Sequence, residues 1–166
     1  MVRTRLIWVL AWACSSVPVP SIVLAAEPII GRASVIDGDT IEIHGARIRL
    51  EGIDAPESRQ LCTESATGQQ IRCGQRAAFW LSELIRAHTV TCTEAGRDRY
   101  KRILARCSVA GQDVGAAMVS AGWALAYVRY SREYVEQEAR AREARAGIWQ
   151  WSFEAPWEWR RAQRQR

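Results

Sequence analysis

Two short acidic stretches and two arginines carry most of the chemical potential of this sequence. Asp39 follows Gly38 in an Asp-Gly-Asp turn, and Asp54 ends the stretch Arg49-Leu50-Glu51-Gly52-Ile53-Asp54. Two carboxylates facing each other repel unless a cation joins them, and hard oxygen ligands suit calcium or magnesium. Arg49 precedes Asp54 closely, and a guanidinium fork grips two phosphate oxygens at once, which lysine cannot do. Arg102 is a second such candidate, beside the basic loop Arg97-Asp98-Arg99-Tyr100-Lys101. Glu57, three residues beyond Asp54 across Pro56, is a carboxylate able to take a proton from water. Each residue also has a plain explanation. Asp-Gly-Asp and Asp-Ala-Pro are ordinary turn chemistry, Arg49 can pair with Glu42 or Glu51, Glu57 can cap the next segment, and the basic loop can be a solvated hairpin end.

Whether these groups meet depends on the elements between them. Residues 33–53 alternate as strands: Ser34–Asp37 leads to Gly38, Thr40–Ile43 runs to a turn at His44-Gly45, and Arg47–Leu50 returns with Ile48 and Leu50 on one face. Such a meander brings Asp39 and Asp54 to one end. Residues 58–73 read as a polar surface loop. From Gly74 to Ala87 the spacing is helical, with Ala77, Trp80, Leu81, Leu84 and Ile85 on one stripe. Thr89–Cys92 and Arg102–Val109 predict paired strands joined by a charged loop, Glu94 to Lys101. Asp113 caps a helix over 114–121, and a charged helix follows over 131–146. Trp149 and Trp151 are expected to cover the core, whereas Trp157 and Trp159 find no place. From Pro156 to the terminal arginines, Arg160 among them, the chain reads as a frayed basic tail. Five short strands are too few for a sandwich, so the expected fold is α+β with a mainly β core, a five-stranded OB-type barrel.

Composition sets the setting. The 166 residues carry 23 Lys+Arg against 18 Asp+Glu, a net charge of +5, and 48% hydrophobic residues. That balance suits one compact domain with a bias toward anionic partners, and excludes wholesale disorder or a polytopic membrane protein. Residues 1–26, with Arg3 and Arg5, the apolar run Leu6–Ala13 and the exit Val23-Leu24-Ala25-Ala26, where small residues suit signal peptidase, read as a signal peptide, with an uncleaved amino-terminal anchor as the alternative. The expected division is signal 1–26, domain 27–153 and basic Trp/Arg-rich tail 154–166. Cys62, Cys73, Cys92 and Cys107 then remain, an even number in an exported chain. Three pairings are possible, and Cys62–Cys73 with Cys92–Cys107 is favoured. Zinc is disfavoured because no CxxC pair exists and His44 and His88 lie apart from the cysteines. Together the acids and arginines compose a phosphodiesterase site, in which a cation neutralises phosphate, two arginines hold it and a carboxylate activates water.

Val35-Ile36-Asp37-Gly38-Asp39-Thr40 and Arg49-Leu50-Glu51-Gly52-Ile53-Asp54-Ala55-Pro56-Glu57 resemble the signature of the thermonuclease, or staphylococcal-nuclease-like, family. Asp98-Arg99-Tyr100-Lys101-Arg102, Gly122-Trp123-Ala124 and Gly147-Ile148-Trp149 resemble its later landmarks, so the likeness spans roughly residues 30–150. The resemblance implies an OB barrel with three helices and calcium-dependent cleavage of DNA and RNA that leaves 3′-phosphate ends. It makes Asp39 and Asp54 calcium ligands together with the carbonyl of Ala55, and Glu57 the general base. Arg49 and Arg102 become the phosphoryl-binding pair, Arg99 and Tyr100 contacts to a terminal phosphate, and Tyr130 a wall of the base pocket. Three departures stand out. Ala55 replaces threonine, Lys101 replaces glycine, and Tyr127 falls one position off the first pocket tyrosine, so it is given no nucleotide role.

The expected protein is therefore a monomeric, periplasmic or secreted nuclease acting on nucleic acid with calcium. A non-cleaving OB-fold nucleic-acid-binding module is the alternative. An envelope scaffold for protein contacts is a third possibility.

Overall fold

The alternation read over residues 33–53 becomes a meander over 34–50 that builds the centre of the molecule. The structure, a computed structural model, describes residues 27–165, so the signal-peptide reading of residues 1–26 lies outside the described residues. In chain order the elements are β1 (Ile29–Gly31), β2 (Ser34–Asp37), β3 (Thr40–Ile43), β4 (Ala46–Leu50), β5 (Ile53–Asp54), β6 (Cys62–Thr63) and β7 (Gln70–Ile71). Next come α1 (Cys73–Ile85), β8 (Val90–Arg97), β9 (Ile103–Val109), β10 (Gln112–Asp113) and α2 (Val114–Ser120). The chain ends with β11 (Leu125–Ala126), α3 (Val135–Glu143), a 3₁₀ turn (Gly147–Gln150) and α4 (Pro156–Gln163).

Seven strands form the main sheet, ordered β1-β8-β9-β4-β3-β2, with β10 added to β9. The pair β4–β9 is parallel, and it sets Arg49 opposite Leu104. The fold is the expected α+β arrangement with a mainly β core and OB-like character, although the described sheet does not close into a barrel. Ile41, Ile43, Ile48 and Leu50 turn inward with Val90, Ala105 and Met118, and the buried α1 positions Ala77, Leu81 and Ile85 cover them. Asp113 caps α2 as expected, its Oδ1 accepting from Ala116 N–H at 2.7 Å.

Several boundaries differ from the sequence reading. The expected loop from Glu94 is strand as far as Arg97, because β9 pairs with β8 past a register shift between Glu94 and Gly96. The 58–73 loop contains its own small antiparallel pair, β6–β7. Both favoured cysteine pairings sit at bonding distance. Cys92 and Cys107 lie directly opposite across β8–β9, with sulfurs 2.03 Å apart. Cys62 and Cys73, with sulfurs 2.11 Å apart, join β6 to the start of α1.

The largest departure is at the end of the chain. Four α-helices are described rather than three, and the segment expected to fray forms α4. Pro156 sits in its first turn, where a proline has no amide hydrogen to lose and its φ is already helical. A second apolar cluster receives the segment: Cys62, Cys73, Leu125 and Ile148 at its centre, with Trp149, Trp151, Phe153 and Trp157 packed around them. Trp157 stacks on Tyr127 with ring centroids 5.7 Å apart, and Gln60 Nε2 donates to the Glu154 carbonyl at 2.6 Å. The Gly-Trp landmarks beneath this cluster mark a crossing of two backbones. A Cβ on Gly147 would stand 2.3 Å from the Gly122 carbonyl oxygen, so both positions exclude side chains.

Candidate active site

Asp39 lies in the turn between β2 and β3, and β3–β4 pairing places Thr40 opposite Arg49. Asp54 ends β5, held by pairing with Leu125 of β11. These separate turns converge on one side chain. Arg49 Nη1 donates to Asp39 Oδ1 at 2.7 Å and Nη2 donates to Asp54 Oδ1 at 2.6 Å. Asp39 is further fixed by Thr40 Oγ1 at 3.0 Å and by the N–H of Ala55, which donates to Oδ2 at 3.0 Å. Ala55 is thus buried against Asp39 through its amide.

Electrostatics follow from this enclosure. Burial pushes the Asp54 carboxyl up, Asp39 adds to the rise, and the guanidiniums of Arg160 and Arg49 oppose it without cancelling it. For Arg49, burial works against the charge, but the carboxylates of Asp39 and Asp54 outweigh it and hold the guanidinium above its ordinary value. Asp37, to which the sequence reading gave no role, belongs to the same acidic turn. Its Oδ1 accepts the Asp39 N–H at 3.0 Å, and burial followed by the Asp39 charge pushes its carboxyl up to about 6. A hidden signal was present, since Asp37 is the first acid of Asp-Gly-Asp.

Glu57 is positioned by a tight support. Its carbonyl accepts from Gln60 N–H at 2.7 Å, and a Cβ on Gly74 at the start of α1 would sit 1.8 Å from that same oxygen. Only glycine lets α1 approach so closely. The Glu57 side chain meets a residue that sequence reasoning assigned to the tail. Arg160 Nη1 donates to Glu57 Oε1 at 2.8 Å and to Asp54 Oδ1 at 2.9 Å, while Nη2 donates to Asp54 Oδ2 at 2.8 Å. Burial disfavours the Arg160 charge, yet the bonds to Asp54 and Glu57 prevail and raise it. No local signal pointed to this contact, because its partners lie over a hundred residues away.

Arg102 is not joined to these acids. Its Nε donates to Asp98 Oδ2 at 2.7 Å, within the turn that links β8 to β9. It directly precedes Ile103, which registers with Ile48, so its backbone runs beside the strand that carries Arg49. Arg99 stands over the Tyr100 ring at 4.8 Å, and Tyr100 is exposed. Lys101 adopts φ 64°, the left-handed conformation that a glycine would take without strain. Tyr130 is 72% exposed and meets Tyr127 edge-on at 5.1 Å. Tyr127, given no role from sequence, links Tyr130 to Trp157 and so to α4.

Among the described residues, no group of three or more His, Cys, Asp or Glu side chains forms a ready metal cage. The donor set still fits a hard cation. Asp39 and Asp54 are held around a single positive centre, and calcium or magnesium commonly completes a shell of few carboxylates with carbonyl and water oxygens.

Residues 47–151 match the family described as staphylococcal nuclease homologue. The chain belongs to the staphylococcal nuclease family. It is 44% identical over 128 residues to the succinoglycan biosynthesis protein ExoI of Rhizobium meliloti (strain 1021), covering 75% of this chain and 66% of that one. It is 37% identical over 147 residues to an uncharacterized endonuclease of Escherichia coli, covering 83% of this chain and 88% of the relative. A micrococcal nuclease of Shigella flexneri is 35% identical over 146 residues, covering 77% and 78%. As a member of the staphylococcal nuclease family the protein is a hydrolytic nuclease, and nucleic acid is its substrate class. The two cysteine pairs at bonding distance are compatible with an oxidising, extracellular or periplasmic location. Among the described residues, no helix is long and apolar enough to cross a membrane.

Proposed function

We propose that the protein is an exported, calcium-dependent nuclease that hydrolyses phosphodiester bonds of DNA, RNA or both and leaves 3′-phosphate ends. The observation that carries this reading is the convergence of Asp39 and Asp54, from separate turns, on the two terminal nitrogens of Arg49. Calcium would rest on Asp39, Asp54 and the Ala55 carbonyl, and when bound it supplies positive charge to the phosphate and to the attacking water. Glu57 takes the proton from that water as its oxygen forms the new bond to phosphorus. The bond to the 5′-oxygen breaks in line, the electron pair leaves with that oxygen, and the phosphate stays on the 3′ side. Arg49 stabilises the charge that builds on the equatorial oxygens, and Arg102 reaches in as the second clamp. Arg99 and Tyr100 would contact a neighbouring phosphate, and Tyr130 would stack on a base. The protein acts as a monomer in the periplasm or outside the cell.

Purified protein incubated with DNA or RNA should cleave it with calcium and stop when chelator is added. Activity that persists in chelator removes the metal from the reading. Glu57→Ala should retain nucleic-acid binding and lose cleavage by at least about a hundredfold, as expected for loss of a general base. A wild-type protein that shifts DNA in a gel but never cuts it, with calcium present, would favour the non-cleaving module.

A further inference from the structure

Among the described residues, the two guanidiniums that touch the site's carboxylates are Arg49 and Arg160, and Arg160 belongs to α4 rather than to the nuclease signature. We infer that Arg160 is a substrate-binding residue: its guanidinium exchanges the oxygens of Asp54 and Glu57 for those of the scissile phosphate when substrate and cation arrive. This inference rests on the nuclease reading and deepens it.

Four observations support it. First, Arg160 spans the residue proposed to hold the cation and the residue proposed to activate water, so its terminal nitrogens lie between the two groups that would flank the scissile phosphate. Second, Arg102 pairs with Asp98 four residues away and touches neither Asp39, Asp54 nor Glu57, whereas Arg160 already stands beside Arg49 at those carboxylates. Third, the helix is anchored independently of Arg160, through Trp157 on Tyr127, the buried Pro156 and the Gln60–Glu154 bond. Only a flexible side chain, 28% exposed, has to turn, while Asp54 beneath it is fully buried. Arg160 therefore stays within reach of the phosphate after releasing the acids. Fourth, Tyr130, Tyr127 and Trp157 form a row of rings ending three residues before Arg160, and positions three apart share a helix face. Stacking surfaces next to a guanidinium suit a single strand, bases on the rings and phosphate on the fork.

The site's charges are consistent with the exchange. Three carboxylates, Asp39, Asp54 and Glu57, face two guanidiniums, and a phosphodiester adds one further negative charge. With the carboxylates turned to a divalent cation, both forks are free for phosphate oxygens.

The test uses the full mature protein, a fluorescent phosphorothioate oligodeoxynucleotide as a slowly cleaved binding probe, and ordinary DNA for kinetics. Arg160→Ala should weaken calcium-dependent probe binding about tenfold and lower kcat/KM by about a hundredfold, in line with loss of a charge-assisted fork. The slope of log affinity against log salt should fall by about 0.7, the value of one lost contact on a single strand. Calcium affinity measured by calorimetry without nucleic acid should stay level or tighten, whereas a merely structural role would weaken it. Arg160→Lys, which keeps the charge and loses the fork, should recover binding more than kcat, and it decides the matter should Arg160→Ala fail to fold. Arg161→Ala on the same helix should leave kcat/KM unchanged.

An unaltered salt slope with unaltered kcat/KM in Arg160→Ala overturns the inference. So does a rise in kcat/KM with tighter calcium binding, which would make Arg160 a self-blocking latch. Wild-type protein that neither binds nor cuts nucleic acid would instead remove the nuclease reading itself, and this inference with it.

Discussion

At the carboxylate end of the molecule, Arg160 reaches Asp54 across 106 residues of sequence, and Asp54 has no exposed surface. At the hairpin end, Arg102 reaches Asp98 across four residues, and Arg99 and Tyr100 stand beside it in solvent. The same charged partners are joined at closely similar distances in both places. What differs is what surrounds them. In the buried cluster a carboxylate that loses its partner is left without water to replace it, so the geometry is enforced by the whole fold. In the hairpin the pair is part-buried rather than enclosed, with Arg102 33% exposed, so water reaches a lost partner more readily and the pair mainly shapes a turn. The lesson is that the site's strength resides in its enclosure, while the hairpin arginine remains free to move toward a ligand.

Removing Arg49 should expose that difference most strongly. Arg49→Ala leaves buried Asp39 with no guanidinium and facing Asp54, which keeps only Arg160, and should cost about 3–5 kcal/mol of stability by urea unfolding. A loss below about 1 kcal/mol would mean that the two ends are energetically alike. Next, Trp157→Ala tests whether the carboxylate end depends on the docked helix. It should cost about 1–2 kcal/mol through the lost stacking on Tyr127, and should lower activity through Arg160. Full activity in this variant would detach α4 from the site.

At the hairpin end, changes should be smaller. Burial is the largest single influence on the Asp98 carboxyl and works to raise it, but the hydrogen bonds from Arg102 and Tyr100, with the Arg102 charge, together bring it below its ordinary value of 3.8. A lowered carboxyl contributes stability above its unfolded pKa and loses it as pH falls through the folded one. Asp98→Asn should therefore cost under about 1 kcal/mol at pH 7, and the difference from wild type should shrink as pH falls below the ordinary carboxylate value and vanish in stronger acid, once the lowered folded value is passed. A gap that persists in acid would show that the ionised carboxylate is not what matters. Smallest of all, Lys101→Gly relieves the left-handed backbone at φ 64° and should raise the melting midpoint by a gain of about 0.5–1 kcal/mol. An unchanged or lower midpoint would mean that the hairpin stores no such strain.

The parts legible in sequence share one property, that their signals are local. Asp39, Arg49 and Asp54 could be brought together on paper because a short meander with alternating faces has few ways to fold. Cys92 and Cys107 could be paired because two adjacent strands put them opposite, and Asp113 could be read as a cap from its position before an apolar helix. Arg160, Trp157 and Tyr127 offered nothing comparable. Their segment is charged and aromatic without a clear apolar stripe, and its binding surface is assembled by the Cys62–Cys73 loop, β11 and the 3₁₀ turn. Arg102 shows the converse, since its motif was plain while the direction of its side chain was set by Asp98.

From the sequence by itself came the family, the strand meander, the cysteine pairing and the identity of the acids, because each is encoded in residue type and near-neighbour spacing. Tertiary structure alone decided which guanidiniums touch those acids. A side chain's partner across a hundred residues depends on how surfaces pack and on what water is excluded between them, and no local pattern records that.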